Sequence, residues 1–123
     1  MNLLLDTHVL LWWGEERRLA PEAAAAIADP ENIVYVSAAS IWEISIKRAR
    51  GKLSVDDAIF DMHLDGFEEL PITHREARQA GALPDLHRDP FDRMLIAQAL
   101  AHDLLLVTRD PRMSLYEASI LPA

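Results

Sequence analysis

Hydrophobic residues along the chain occur as short continuous runs, and stretches with helical spacing separate these runs. The runs predict strands at residues 2–6, 33–36, 104–107 and, more weakly, 67–72, with a last edge strand at 118–121. The strongest runs are apolar at every position instead of alternating with polar residues. That pattern is typical of parallel strands whose two faces are both covered by helices.

Helix start signals precede the stretches between the strands. Helices are expected over residues 7–13, 21–28, 37–49, from 54 onward, 73–81 and 90–102, opening at Thr7, Pro21, Ser37, Ser54, Thr73 and Asp89-Pro90. In the fourth helix Val55, Ala58, Ile59 and Met62 share one face. Gly14, Gly51 and Gly81 are expected to end helices. Strands that alternate with helices predict an α/β fold with a mainly parallel sheet.

Length and composition bound the class of protein. A chain of 123 residues predicts a single domain over residues 1–123. The absence of cysteine excludes disulfides, thiolate zinc sites and cysteine nucleophiles. The N-terminal region lacks the pattern of a signal peptide, and no apolar stretch is long enough to span a membrane. We therefore expect a cytoplasmic protein.

The formal net charge of −8 argues against generic binding of nucleic acids, which depends on basic patches. Two features soften that objection. Bound divalent cations would offset part of the acidity, and arginine outnumbers lysine ten to two. Arginine is the better of the two at bidentate contact with phosphate.

Four carboxylates are the strongest candidates for chemistry. Asp6 ends the first strand and Asp110 lies just past the strand at 104–107, so both fall where parallel sheets bind ligands. Glu43 and Asp92 lie early in two of the expected helices. Each also has a structural explanation of its own. Asp6 can cap a helix, and Asp110 can belong to an Asp-Pro turn. Glu43 can form an ion pair with Lys47, and Asp92 has a favourable position near a helix N-terminus.

The four acids together suit a divalent ion better than they suit four separate structural roles. Mg²⁺ takes oxygen ligands and keeps several waters, so a few carboxylates are enough to hold it. Such ions can activate water and neutralise phosphate oxygens during hydrolysis of a phosphodiester. We expect Asp6 and Asp92 to hold the principal ion, with Asp110 and Glu43 completing the site. Mutual repulsion should raise the pKa of all four carboxyls.

Four blocks of the sequence resemble, in the right order, the signatures of PIN-domain ribonucleases, above all the VapC-type toxins of bacterial toxin–antitoxin pairs. They are residues 1–8 (MNLLLDTH), 40–44 (SIWEI), 89–99 (DPFDRMLIAQA) and 106–110 (LVTRD). The resemblance implies a three-layer α/β/α fold and endonucleolytic cleavage of RNA that depends on Mg²⁺ or Mn²⁺. It also implies a cognate antitoxin, a homodimer, and a site formed by Asp6, Glu43, Asp92 and Asp110.

Other residues are candidates for binding substrate and partners. Arg93 and Arg109 adjoin two of the acids and are predicted to contact RNA phosphates. The Thr108 hydroxyl is a further candidate contact near the ion, although it can equally just end a strand. One of Trp12 and Trp13, about 100° apart on a helix, is expected to face a dimer mate or the antitoxin. His8 is a candidate for the outer shell of the site, and the other four histidines are interpreted as surface residues.

Three alternatives fit parts of the pattern. A phosphorelay receiver domain needs a lysine after a late strand, and the last lysine is Lys52. A phosphatase with an aspartyl nucleophile needs a second Asp two residues after the first, where His8 stands. A PIN-like fold that only binds would not need the complete set of acids, but an activity assay is required to separate it from a nuclease.

Overall fold

The computed structural model describes residues 1–13, 18–61 and 65–123, which contain five strands and five α-helices. The strands are β1 (Asn2–Leu5), β2 (Ile33–Ser37), β3 (Glu68–Leu70), β4 (Leu105–Thr108) and β5 (Ile120–Pro122). The helices are α1 (Thr7–Trp12), α2 (Pro21–Ala28), α3 (Ala38–Ala49), α4 (His74–Ala82) and α5 (Pro90–His102). None of the helices in these ranges is long and apolar enough to cross a membrane.

The strands form one sheet in the order β3-β2-β1-β4-β5, and every pairing is parallel. β1 lies at the centre, with Leu3 beside Val34 on one side and Leu5 beside Val107 on the other. The carboxyl ends of the strands consequently meet at one edge. The prediction of an α/β fold with a parallel central sheet is confirmed.

Helices cover both faces of the sheet, which gives the three layers that the resemblance implied. Alternate residues of β1 point to opposite faces. Leu3 and Leu5 join a core with residues of α1, α2 and α3, whereas Leu4 joins a second core with Leu95 and Ile96 of α5. Because Leu3, Leu4 and Leu5 are all fully buried, burial of apolar area on both faces stabilises the central strand.

Several details differ from the sequence prediction. The strand expected at 67–72 is limited to Glu68–Leu70. Ser54 begins no α-helix; instead a 3-10 turn spans Asp57–Phe60, because Asp56 caps it through a hydrogen bond from the Ala58 N–H at 3.1 Å. Met62, assigned to that helix, lies outside the described residues. Gly81 does not end α4, which runs on to Ala82.

Thr7 was expected to cap α1, but it is the first helical residue, and Asp6 occupies the cap position. The Thr7 hydroxyl instead donates to Oγ of Ser40 at 2.9 Å. This buried hydrogen bond joins the start of α1 to the first turns of α3 and so holds together two of the segments that carry the acids.

Candidate active site

Asp6 ends β1 at the carboxyl edge of the sheet. Its N–H extends the strand pairing by donating to the Val107 carbonyl at 3.0 Å, which fixes the backbone. The side chain is 4% exposed, and Oδ2 accepts a 2.6 Å hydrogen bond from the Thr108 hydroxyl. Within the described chain Asp6 forms no side-chain cap for α1, so the capping explanation is wrong. Burial, the largest effect on this carboxyl, raises its pKa.

Glu43 lies on α3 and is 4% exposed. Oε2 accepts from Nζ of Lys47 at 2.6 Å, the i,i+4 pair that the sequence suggested. Oε1 is buried and has no hydrogen-bond partner among the described residues. Ser37 caps the helix by accepting from the Ala39 N–H at 3.0 Å, which sets the start of α3 directly after β2. Glu43 therefore forms the ion pair with Lys47 through Oε2, while Oε1 keeps no partner among the described residues.

Asp92 lies in the first turn of α5, as predicted. Asp89 is the N-cap and accepts from the N–H groups of Phe91 and Asp92 at 2.9 and 3.1 Å. Burial and the negative charges of Asp6, Asp89, Glu43 and Asp110 raise the pKa of Asp92 to about 8. These charges act against the favourable field of the helix N-terminus. A cation between the carboxylates would relieve the repulsion.

His87 is a site residue that the sequence interpretation missed, since it was taken for a surface histidine. It is 4% exposed, and Nε2 lies 2.8 Å from Oδ2 of Asp92 and 3.5 Å from Oδ2 of Asp110. Nδ1 accepts from the Asp89 N–H at 3.3 Å, which places the ring proton on Nε2, facing the two carboxylates. Its position five residues before Asp92, beside the helix cap, was the one available signal.

Asp110 contributes to the same group but in a different electrostatic state. Ligand atoms of His87, Asp92 and Asp110 all lie within 4.8 Å of one another. The Arg112 guanidinium donates to both oxygens of Asp110 at 3.1 and 2.9 Å, and these hydrogen bonds hold the pKa of this carboxyl below its usual range. The expectation that repulsion raises the pKa of all four acids is therefore wrong for Asp110.

The two arginines predicted to bind RNA phosphates are engaged elsewhere. The Arg93 guanidinium donates to the carbonyls of five residues at 2.8–3.4 Å, namely Ala80, Gly81, Leu83, Pro84 and His87. Arg109 donates through Nε to the Ala123 carbonyl at 2.8 Å, and its guanidinium lies over the Trp12 ring at 4.4 Å. Arg93 holds the loop before α5 with its guanidinium, and its contact with RNA phosphates stays a prediction.

Thr108 was a candidate substrate contact, but its hydroxyl faces the interior. It is buried, donates to Asp6 and accepts from the Asp110 N–H at 3.1 Å. Thr108 thus links the first and last acids of the sequence and orients Asp6. We assign it to positioning the site, not to contact with substrate.

The donor set fits a divalent ion. Asp6 Oδ1 and Glu43 Oε1 are buried oxygens that have no hydrogen-bond partner within residues 1–13, 18–61 and 65–123. Leaving a buried charged oxygen unpaired is costly, and cation binding removes that cost. Carboxylate oxygens are the ligands that Mg²⁺ and Mn²⁺ prefer. Nε2 of His87 is likewise buried without a hydrogen-bond partner in the same residues, although it lies 2.8 Å from Oδ2 of Asp92 and 3.5 Å from Oδ2 of Asp110. With its proton on Nε2, His87 would act on these two carboxylates and would not bind the ion itself.

The aromatic residues partly match expectation. Trp12 and Trp13 are each half-buried, so neither is confined to the core. Trp13 contacts Phe67 with ring centroids 5.9 Å apart. Trp42 on α3 is more exposed than either of them, at 62%, and its ring lies edge-on to Phe91. The prediction of a partner at Trp12 or Trp13 stays a prediction.

Comparison with known proteins gives consistent matches. The family model of the PIN domain matches residues 3–118. The chain is 34% identical over 117 residues to Ribonuclease VapC22 of Mycobacterium tuberculosis, covering 91% of this chain and 89% of the relative.

Two solved structures show the same fold. One is VapBC2 of Rickettsia felis bound to a DNA fragment from its promoter, with a TM-score of 0.75, 15% identity, and coverage of 99% of this chain and 98% of that one. The other is a toxin–antitoxin complex from Klebsiella pneumoniae, with a TM-score of 0.69, 23% identity and coverage of 97% and 95%.

Proposed function

We propose, because this chain belongs to the PIN-domain family, that it is an endoribonuclease that requires Mg²⁺ or Mn²⁺ and serves as the toxin of a toxin–antitoxin pair. The observation that carries the proposal is the acidic cluster at the carboxyl edge of the parallel sheet. There, ligand atoms of Asp92 and Asp110 lie within 4.8 Å of each other, and the charges of Asp6 and Glu43 act on Asp92. Two of these acids, Asp6 and Glu43, have buried oxygens without partners in the described chain. Structural acids of a helix cap or turn do not need that arrangement.

Each residue of the site has a proposed task. A bound ion would supply an activated water and neutralise charge on the phosphate. Asp6 and Asp92 are the principal ligands, since rigid elements position ligands best, and they stand on the end of a central strand and the first turn of a helix. Asp110 completes the site. Glu43, held by Lys47 through Oε2, has Oε1 free to orient the attacking water or to bind a second ion.

The proposed partners are an RNA substrate, a cognate antitoxin and a second copy of the chain. The antitoxin is suggested by the matched Klebsiella pneumoniae structure, which is a toxin–antitoxin complex. With a net charge of −8, the toxin would attract a basic antitoxin segment to its acidic cleft. The half-exposed Trp12 and Trp13 are the proposed aromatic anchors for one of these protein partners.

The decisive experiment is cleavage of a fluorogenic single-stranded RNA by the purified protein with Mg²⁺, with Mn²⁺ and with chelator. Wild type should cleave only with an ion, and Asp6→Asn should lose at least about a hundredfold of the rate because a principal ligand is gone. Glu22→Gln, which changes an exposed acid on α2, is the matched control and should keep wild-type activity. Binding of RNA without cleavage would instead favour the non-catalytic binding module.

A further inference from the structure

A cavity of about 410 Å³ lies beside the acidic site, between α1 and the C-terminal end of α3. Its polar lining comes from Thr7, His8, Lys47, Lys52 and Ser54, and its walls include Trp12. None of the described residues that line it is acidic, although the chain has 20 acidic residues. Both lysines of the protein line this one cavity. Its charge is therefore opposite to that of the rest of the molecule.

Local backbone geometry brings the two lysines together. Gly51 adopts φ +69°, the left-handed conformation that ends many helices. The Lys52 N–H donates to the Lys47 carbonyl at 2.9 Å, and the Gly51 N–H donates to the Arg48 carbonyl at 3.1 Å. This pair of bonds is a Schellman motif, which reverses the chain at the end of α3. Lys52 is thereby carried back to the cavity that Lys47 lines.

The cavity adjoins the carboxylates on two sides. Lys47 contacts Glu43 at 2.6 Å, and Thr7 directly follows Asp6. Lys52, by contrast, is exposed and has no ion-pair partner in the described part of the chain. Arg112, a basic residue on the other side of the site, is paired with Asp110. Of the two lysines that line the cavity, Lys52 is thus the one available to accept an anion from outside.

We propose that this cavity is a subsite for a backbone phosphate of the RNA substrate, on a nucleotide next to the one that is cleaved. Lys52 supplies the principal charge, and Lys47, His8 and the Ser54 hydroxyl supply further donors. A single-stranded chain in the acidic site passes the cavity because the two share Lys47 and the start of α1. The subsite also explains how a protein of net charge −8 binds a polyanion: contact with phosphate is concentrated at one place. This proposal rests on the proposed function.

The test is binding of a labelled single-stranded RNA in chelator, by fluorescence anisotropy over a range of KCl concentrations. Lys52→Ala should weaken binding several-fold at low salt. It should also reduce the slope of log affinity against log salt by about 0.7, the value for one phosphate contact on a single strand. Lys52→Arg should keep the slope because it keeps the charge. Arg78→Ala, which removes an exposed charge on α4, should leave the slope unchanged.

The outcomes separate this proposal from the proposed function. If the wild type cleaves RNA but Lys52→Ala keeps the wild-type slope, the subsite is wrong and the nuclease assignment stands. If Arg78→Ala lowers the slope as much as Lys52→Ala, the effect comes from net charge and the subsite is equally wrong. A wild type that neither binds nor cleaves RNA overturns both. The cleavage assay adds a second readout, since losing a ground-state contact should raise KM more than it lowers kcat.

Discussion

At the scale of single residues, Asp92 and Asp110 are two acids of the proposed site that the protein holds in opposite electrostatic states. The pKa of Asp92 is raised to about 8, first by burial and then by neighbouring acids. The pKa of Asp110 is lowered, first by its hydrogen bonds with Arg112. The difference follows from partners, since Asp110 has a cation beside it and Asp92 faces other carboxylates and the Nε2 of His87.

The raised pKa of Asp92 predicts a pH-dependent gain in stability for Asp92→Asn without metal. The folded state holds a proton on Asp92 up to about pH 8, whereas the unfolded state releases it near 3.8. Because only the folded state holds this proton between those pH values, the unfolding free energy of wild type falls as pH rises from one to the other. The Tm difference between Asp92→Asn and wild type in chelator should grow from pH 5 to pH 8, reaching about 4 °C or more, which corresponds to roughly 1 kcal/mol.

Asp110→Asn is the matched control. The sequence predicted a raised pKa for Asp110, whereas the structure gives a lowered one. A lowered pKa contributes stability above the unfolded value of 3.8. This variant should therefore melt slightly lower than wild type throughout pH 5 to 8, by about 0–1 kcal/mol for an ion pair with an exposed arginine. If both variants gave the same constant offset, the assignment of opposite states to the two acids would be wrong.

His87 predicts an effect on ion affinity without being a ligand. Its Nε2 proton faces Asp92 and Asp110, and losing such an outer contact typically weakens metal binding about 10–100-fold. Calorimetric titration of His87→Ala with Mn²⁺ at fixed pH should give this loss, and His74→Ala, an exposed histidine at the start of α4, should not. A melt in chelator would confirm that the variants are folded. Wild-type Mn²⁺ affinity in His87→Ala would contradict the positioning role.

At the scale of elements, the sequence predicted the strands and the helix start that depend on residues close together in the chain. The continuous apolar runs gave β1, β2 and β4, and Asp89-Pro90 gave the start of α5. Asp6 and Asp110 were correctly expected at one edge of the sheet, because the carboxyl ends of parallel strands meet at the same edge. Ser54 failed as a helix start because Asp56, two residues later, forms a competing cap. The choice between adjacent caps depends on how residues such as Val55 and Ile59 pack on the core, which sequence alone does not contain.

Contacts between distant elements account for what the sequence did not predict about the site. His87 is buried because the loop before α5 is held by the Tyr116 hydroxyl, which accepts from the His87 N–H at 2.9 Å, and by Arg93. Nothing near His87 in the sequence signals these partners. The same holds for Thr108 and Asp6, which are 102 residues apart and share a 2.6 Å hydrogen bond.

Arg93 predicts a loss of stability instead of a loss of RNA binding. Its guanidinium ties the end of α4 and the following loop to α5 through carbonyl acceptors, including Ala80 and Leu83 at 2.9 and 2.8 Å. Arg93→Met should lower the unfolding free energy by about 2 kcal/mol or more, because charged hydrogen bonds are lost and carbonyls are left unpaired. Urea unfolding would measure this, with Arg75→Met on the exposed face of α4 as control. Unchanged stability with a reduced salt slope for RNA would restore the phosphate role.

At the scale of the whole molecule, burying acids beside one another in a protein of net charge −8 makes the metal-free fold less stable than it could be. The architecture gives the chain no easy way to relax, since Asp6 is fixed by the central strand and Asp92 by the capped first turn of α5. Below about pH 8 a proton on Asp92 relieves part of the repulsion. A cation can relieve it at higher pH as well, because it binds the folded arrangement and finds no such cluster in the unfolded chain.

Divalent ion should therefore stabilise the whole domain. An ion at a hundred times its Kd adds about 2.7 kcal/mol when it binds only the folded state, which corresponds to a rise in Tm of roughly 10 °C. The rise should be larger at pH 8 than at pH 6, because protons compete for Asp92 below its pKa of about 8. Melting curves with Mn²⁺ at both pH values measure it. Asp6→Ala/Asp92→Ala should lose the rise, while Glu22→Gln should keep it. A double variant that still gained as much as wild type would mean that the ion binds elsewhere on the acidic surface, and the proposed site would be wrong.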